Sequence, residues 1–261
     1  MLVRVFFAPH KISPRGLIRP KRRMSARHRP RALGDPGRNS FSDAATAHGA
    51  VLSDRLRGMA RLLVYYAHPG HKHSHVNRYM ARRAAELDGI TYVDLYRDYP
   101  RFDINVNVEQ ERLLEHDVVL FQFPMFWYST PSIVKEWQDL VLEHGFAYGS
   151  GGDKLAGKQF MLAVTAAGPE DAYTEAGYQH YPIRTFLTPL EQTARLCDMR
   201  FPAPYVLFSS LKAPGAGLVE PHVDGYRRLL EAIRDDAYDF DAAREMGVVR
   251  YDNLPIRTEA G

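Results

Sequence analysis

Four histidines crowd one short stretch of this chain, His68-Pro69-Gly70-His71-Lys72-His73-Ser74-His75-Val76-Asn77. Imidazoles so close together invite a metal reading, because neutral imidazole is a common ligand. The stretch holds no carboxylate, however, and nothing in a Pro-Gly turn converges four rings on one point. Anion binding suits it better, and no metal site is expected. The preceding run, Leu62-Leu63-Val64-Tyr65-Tyr66-Ala67, has the length, apolarity and stop signals of a buried strand. Ser74 and Asn77 then open an amphipathic helical pattern that runs to about Leu87. A strand turning into a helix N-terminus aims free backbone N–H groups and the positive end of the helix dipole at one spot, where a phosphate fits. His68 is expected to hydrogen-bond that anion, and His71 to be a solvated turn residue.

Two further loops share this character. Pro124-Met125-Phe126-Trp127-Tyr128-Ser129-Thr130-Pro131 follows the nearly all-apolar run 117–124. Phe126, Trp127 and Tyr128 cannot all enter one core, since successive side chains diverge. They read either as a covered hydrophobic cap or as the wall of a site for a planar ligand, which would gain burial and stacking there. Thr165-Ala166-Ala167-Gly168 follows another apolar run, 159–165. Ser74 and Ser129 lack a Gly-x-Ser-x-Gly elbow, and no Gly-x4-Gly-Lys-Ser/Thr loop occurs, which argues against elbow-type hydrolysis and ATP-driven chemistry. Cys197 lies in an apolar helical pattern and reads as core.

The elements that must position these loops alternate along the chain. Strands are expected at 62–67, 90–95, 117–124, 159–165 and 205–208, and helices at 74–87, 109–115, 133–141, 186–196 and 222–238. Five strands alternating with helices imply an α/β fold, a parallel sheet covered on both faces. Ligands then sit beyond the carboxyl ends of the strands, where the strand order reverses. All three loops fall on that edge. The single cysteine excludes an internal disulfide and a multi-thiolate metal site, and makes a reducing compartment the default. No apolar run approaches bilayer-spanning length.

The net charge of +3 is unevenly spread. Residues 1–58 hold thirteen Lys or Arg against three Asp, a net of +10, so the remainder carries −7. This segment is rich in Arg, Pro, Gly and Ala and shows no sustained periodicity, so it reads as a disordered basic extension. The favoured origin is an upstream in-frame extension, with Met59 as the natural start. An organelle-targeting peptide, a basic arm for nucleic acid or anionic lipid, and a solvated tail stay open. Domain bounds are expected at 59–240 for the folded part, with a C-terminal tail over 241–261.

Four motifs in order and spacing carry a family resemblance: Tyr66-Ala67-His68-Pro69, Ser74-His75-Val76-Asn77, Phe123-Pro124-Met125-Phe126-Trp127-Tyr128-Ser129, and His144-Gly145-Phe146-Ala147-Tyr148-Gly149. Over residues 60–235 or so the chain resembles the flavodoxin-like NAD(P)H:quinone oxidoreductases, nearest the flavoproteins that accompany glutathione-gated potassium efflux systems. The resemblance implies a five-stranded flavodoxin-like fold, non-covalent FMN (with FAD as the alternative), NAD(P)H as co-substrate, and a homodimer with its sites at the subunit interface. By family match His68, Ser74, His75, Val76 and Asn77 hold the phosphate end. Met125, Phe126, Trp127 and Tyr128 cradle the ring, mainly through backbone groups, and Thr165, Ala166, Ala167 and Gly168 meet its pyrimidine side. The family loop usually reads Thr-Thr-Gly-Gly, so Thr-Ala-Ala-Gly has lost one hydroxyl and some backbone freedom. Tyr173 and His180 match residues beside the ring, with His180 one position late after Gly177. Tyr148 matches a tyrosine lining the substrate pocket.

The implied activity is two-electron transfer from NAD(P)H through flavin to a quinone or related acceptor. Its rival is a regulatory role, as an ancillary subunit bound to a potassium–proton antiporter. A one-electron carrier is a second rival, to which a strongly acidic surface usually belongs. The implied location is the cytoplasm, with peripheral contact at the inner face of the cell membrane, and no nucleic-acid partner is expected.

Overall fold

The apolar runs all become strands, and each is backed on both sides by helices. The protein is described here by a computed structural model over residues 60–257; the expectations for 1–58 lie outside these residues. The strands are β1 (Leu62–Tyr66), β2 (Ile90–Asp94), β3 (Val118–Pro124), β4 (Gln159–Thr165) and β5 (Tyr205–Leu207). They form one parallel sheet in the order β2-β1-β3-β4-β5, with Leu62 opposite Val118, Val118 opposite Gln159, and Ala163 opposite Tyr205. Every residue of β1, β3, β4 and β5 is buried, which is why these runs show no polar alternation. The order reverses between β1 and β3, so the loops leaving those strands diverge and open a crevice at the carboxyl edge.

The helices are α1 (Asn77–Ala85), α2 (Leu95–Asp98), α3 (Val106–Glu115), α4 (Ser132–Val141), α5 (Ile183–Phe186), α6 (Thr188–Leu196), α7 (Val219–Arg234) and α8 (Phe240–Glu245). Alternate strand residues feed opposite cores. Leu63, Tyr65, Val119, Phe121 and Leu162 pack against Leu113 of α3, Ile133 and Trp137 of α4, and Leu190 of α6. Leu62, Val64, Leu120, Met161 and Ala163 pack against Met80 of α1 and Tyr226, Leu229 and Ile233 of α7.

The first face buries a carboxylate. Glu109 of α3 is fully buried and accepts hydrogen bonds from the hydroxyls of Tyr65 and Tyr99, from the Trp137 indole at 3.0 Å, and from the Arg112 guanidinium. The second face buries His222 of α7, stacked on Tyr205 with 4.5 Å between ring centres, and neither of its ring nitrogens has a partner among the described residues.

Several expectations change in detail: the helix expected at 222–238 is α7 (Val219–Arg234), and the one expected at 186–196 divides into α5 and α6. The first helix starts at Asn77 rather than Ser74, because a 3-10 turn over His71–His73 and an extended Ser74 intervene. The segment from 241, expected as a tail, packs on the fold as far as Arg257. Ala243 and Val249 are fully buried, and the Val206 N–H donates to the Val249 carbonyl at 2.9 Å, so this segment covers the open edge of β5.

Candidate functional site

The first loop leaves β1 and wraps the N-terminus of α1. His68 is buried, and its Nδ1 accepts the Gly70 N–H at 3.1 Å, which puts the ring proton on Nε2. Burial, and then the charge of His71, push its pKa down to about 4, so the ring is a neutral donor at physiological pH. His71 is exposed, as expected, but its Nδ1 also pairs with the Tyr66 hydroxyl at 2.9 Å. Buried Ser74 accepts the Arg78 N–H at 3.3 Å. Val76 is the N-cap of α1 and supplies no side-chain cap, and the N–H groups of His75 and Val76 have no partner among the described residues. Unpaired amides at a helix N-terminus are the donors an anion needs.

Below this loop lies a buried polar triad. The Asn77 side-chain amide donates to the Thr165 hydroxyl at 2.7 Å, and Gln122 donates to the Asn77 carbonyl at 2.9 Å. The remaining Gln122 oxygen, Oε1, is buried without a partner. A cleft of about 320 Å³ opens here, lined by His68, Ser74, Asn77, Phe126, Thr165 and Ser210 among others.

The loop after β3 is a tight reverse turn. Phe126 and Ser129 exchange both backbone hydrogen bonds at 3.0 Å, and Trp127 (φ +48°) and Tyr128 (φ +65°) are both left-handed. Non-glycine residues there cost about 1–2 kcal/mol each. The turn holds the Trp127 side chain 93% exposed. Tyr128 stacks on Phe186 at 5.1 Å, and Tyr173 and Tyr181 meet the same ring edge-on at 6.0 and 6.1 Å. Within one chain nothing among the described residues covers this loop, and the aromatics form an open shelf beside the cleft.

The loop after β4 is partly committed to the fold. The Ala166 N–H donates to Leu207, its carbonyl accepts from Ser210, and its side chain is fully buried. Likewise the Met125 N–H goes to Thr165. In these two loops the N–H groups of Trp127, Tyr128 and Ala167 have no backbone partner among the described residues.

Tyr173 packs on Gly168, where an added Cβ would lie 3.1 Å from the Tyr173 ring and 3.1 Å from the Tyr178 hydroxyl. Burial raises the Tyr173 pKa, with a smaller push from Tyr178 and an offset from the Gly168 amide. Gly177 is required by close approach, since a Cβ would stand 2.4 Å from the Asp171 and Ala172 carbonyls. His180 is exposed at φ +62°, and no hydrogen bond joins its ring to Tyr173. The residue beside Tyr173 is Tyr178, which a search for histidine passes over. Tyr148 lies in the segment after α4, edge-on to His144 at 5.6 Å, and does not line the cleft. Sequence reasoning also missed Gln122, the one polar residue inside an apolar strand run, and Ser210, which follows the last strand and so obeys the same edge rule.

Comparison with known proteins agrees with this geometry. Residues 60–228 match the family described as Flavodoxin-like fold. The chain is 41% identical over 166 residues to the glutathione-regulated potassium-efflux system ancillary protein KefG of Serratia proteamaculans, covering 64% of this chain and 90% of that protein. A solved structure of general stress protein 14 from Treponema denticola, in complex with FMN, is 32% identical with a TM-score of 0.62, covering 66% of this chain and 99% of that one. Another, described as a thermophilic tryptophan halogenase from Streptomycin violaceusniger, is 41% identical with a TM-score of 0.62, covering 64% and 96%. These names differ, so the site and not a name must carry the function.

Proposed function

The chain belongs to the flavodoxin-like family, and on that premise we propose that it is an FMN-dependent NAD(P)H oxidoreductase acting on quinones or related acceptors. The observation that carries this reading is the junction of an anion-binding helix N-terminus, a cleft over Asn77 and Thr165, and an aromatic shelf, all at the reversal of strand order. A relative of this fold binds FMN. The residues fit that cofactor. The free amides of His75 and Val76 and the His68 Nε2–H would hold its phosphate. Phe126, Trp127 and Tyr128 offer apolar surface to a planar ring.

Bound flavin supplies the two-electron chemistry. The chain's own residues position it and set its electrostatic surroundings. Tyr173, whose pKa burial raises, and Tyr178 bring two hydroxyls to the Gly168 loop, where they would stabilise negative charge on a bound ring. Tyr178 thus takes the place in this reading that His180 was expected to fill. A nicotinamide and then an acceptor would occupy the same exposed face in turn. Exposed Trp127, Tyr178 and Tyr181 favour a second copy covering this edge, which is how Tyr148 would reach a site.

The test is direct. Purified protein should be yellow, release FMN on denaturation, and oxidise NAD(P)H in the presence of a benzoquinone. Colourless protein that takes up neither FMN nor FAD overturns the reading. A second reading, an ancillary subunit of a potassium-efflux antiporter, is favoured by the 41% identity to KefG. It predicts recovery of the chain with the antiporter from membranes, and loss of that recovery without loss of turnover would separate the two roles.

A further inference from the structure

Tyr66 closes β1 with its side chain fully buried, and a buried hydroxyl costs free energy unless it is hydrogen-bonded. Phenylalanine would fill the same space without that demand. The ring lies near-parallel to those of Tyr92 and His68, with 6.4 Å between centres in each case. The partner of its hydroxyl among the described residues is the His71 Nδ1, at 2.9 Å, and the two rings meet edge-on at 5.6 Å. His71 opens the 3-10 turn His71–His73, and its carbonyl accepts the Ser74 N–H at 3.1 Å. The next two N–H groups along the chain are those of His75 and Val76, the unpaired donors at the start of α1. His71 thus holds the end of β1 with its ring and the approach to α1 with its backbone. Among the described residues no other hydrogen bond joins residues 69–73 to the sheet. Neither Tyr66 nor His71 lines the cleft.

We infer that Tyr66 and His71 are positioning residues for the anion site: their hydrogen bond presets the loop so that the His75 and Val76 amides face a phosphate before it arrives. The inference rests on the flavin reading, which supplies the phosphate. Pro69 and residues 71–73 are exposed, so packing does little to fix this loop, and ordering it on binding would subtract from affinity. The brace therefore favours the phosphorylated flavin, FMN, over riboflavin, which lacks the phosphate.

Flavin-free protein is titrated with FMN and with riboflavin, followed by flavin fluorescence, in the unaltered chain, Tyr66→Phe, His71→Ala and the double variant. The phosphorus resonance of bound FMN reports the surroundings of the phosphate. Tyr66→Phe removes one oxygen from a packed ring and His71 is exposed, so the fold is kept, and thermal unfolding of each flavin-free variant checks this. The brace predicts that each single variant weakens FMN binding about three- to ten-fold and that the double variant is no weaker than either. The phosphorus resonance should shift in all three variants, and riboflavin binding should not change. Riboflavin weakened as much as FMN, or an unmoved phosphorus resonance, makes the pair merely structural and overturns the inference. A loss in His71→Ala without one in Tyr66→Phe, or losses that add in the double variant, overturn it as well, since His71 would then meet the phosphate itself. If FMN binds all four proteins alike, the brace is overturned and the flavin reading stands. If the unaltered chain binds neither flavin, both fall.

Discussion

The body of the sheet and its carboxyl rim are built to opposite rules. In the body, strand residues are buried, the backbone is regular, and the buried Glu109 has four donors. At the rim, Trp127, Tyr128, His180 and Ser209 all take left-handed φ without being glycine, and large aromatics stand in solvent. Helix-terminal amides there lack partners. Strain and unpaired polar groups persist only where the surrounding structure overdetermines them, and they gather where ligands bind. The contrast says that the body stores the stability and the rim spends part of it on a site. His222, Tyr226, Tyr238, Gln138 and Gln159 qualify this division, since each lies away from the rim with a buried side-chain polar atom that has no partner among the described residues, and Phe102, Asp198 and Asp236 take left-handed φ away from it too.

The largest effect should come from the body. Glu109→Ala strands the donors of Tyr65, Tyr99 and Trp137 and the Arg112 charge, and should cost about 3–5 kcal/mol of unfolding free energy in urea. Whatever folds should keep its flavin stoichiometry. A loss of flavin at unchanged stability would break the division between body and rim.

Next is His222. Burial holds its pKa down to about 3, so the native ring stays neutral while the unfolded ring takes a proton below pH 6.5. Stability therefore falls as pH drops from 6.5 toward 3. His222→Phe should keep the stacking on Tyr205 and remove that loss, which amounts to about 2 kcal/mol at pH 5. Urea midpoints of the two proteins at pH 7.5 and pH 5 decide it, and parallel acid losses would sink the assignment.

At the rim the sign should reverse. Trp127→Gly relieves a left-handed tryptophan that buries almost nothing, so flavin-free protein should gain roughly 0.5–1 kcal/mol after the added freedom of the unfolded glycine. Flavin affinity or turnover should drop. A variant that is both more stable and fully active would mean that the exposed indole serves neither the cofactor nor its substrates.

The smallest effect concerns His68. With its pKa near 4 in the free protein, a bound phosphate can only raise it, so binding takes up protons. Flavin affinity should rise by a small factor as pH falls from 7 to 5, beyond the change due to the phosphate's own titration. His68→Asn should show only the latter, and identical pH profiles would remove His68 from the phosphate site.

Much of this was legible in consecutive residues. The apolar runs and their Pro and Gly stops mark all five strands, and Ile133, Val134, Trp137 and Val141 bury one face of α4 as their spacing implies. The three loops could be placed on one edge because strands that alternate with helices in a parallel sheet all run the same way. Less legible were the short elements. The 3-10 turn at His71–His73 delays α1 by three residues, and α8 with the Val249 segment carries too little periodicity to stand apart from a tail.

The role of individual polar groups was the least legible. Local chemistry determined that residues 68–77 turn into a helix, that aromatics crowd residues 126–128, and that an anion and a planar group suit that company. Only the assembled sheet decided that the Thr165 hydroxyl is spent on Asn77, 88 residues away, that the backbone of Ala166 is tied to β5, and that Tyr178 rather than His180 lies beside Tyr173. It also decided that Glu109 finds Tyr65 across 44 residues while neither ring nitrogen of His222 has a partner among the described residues. The physical reason is range. Periodicity, capping and turn preference are set by a few neighbouring residues, whereas a side chain's hydrogen-bond partner depends on which strands lie side by side and in what register.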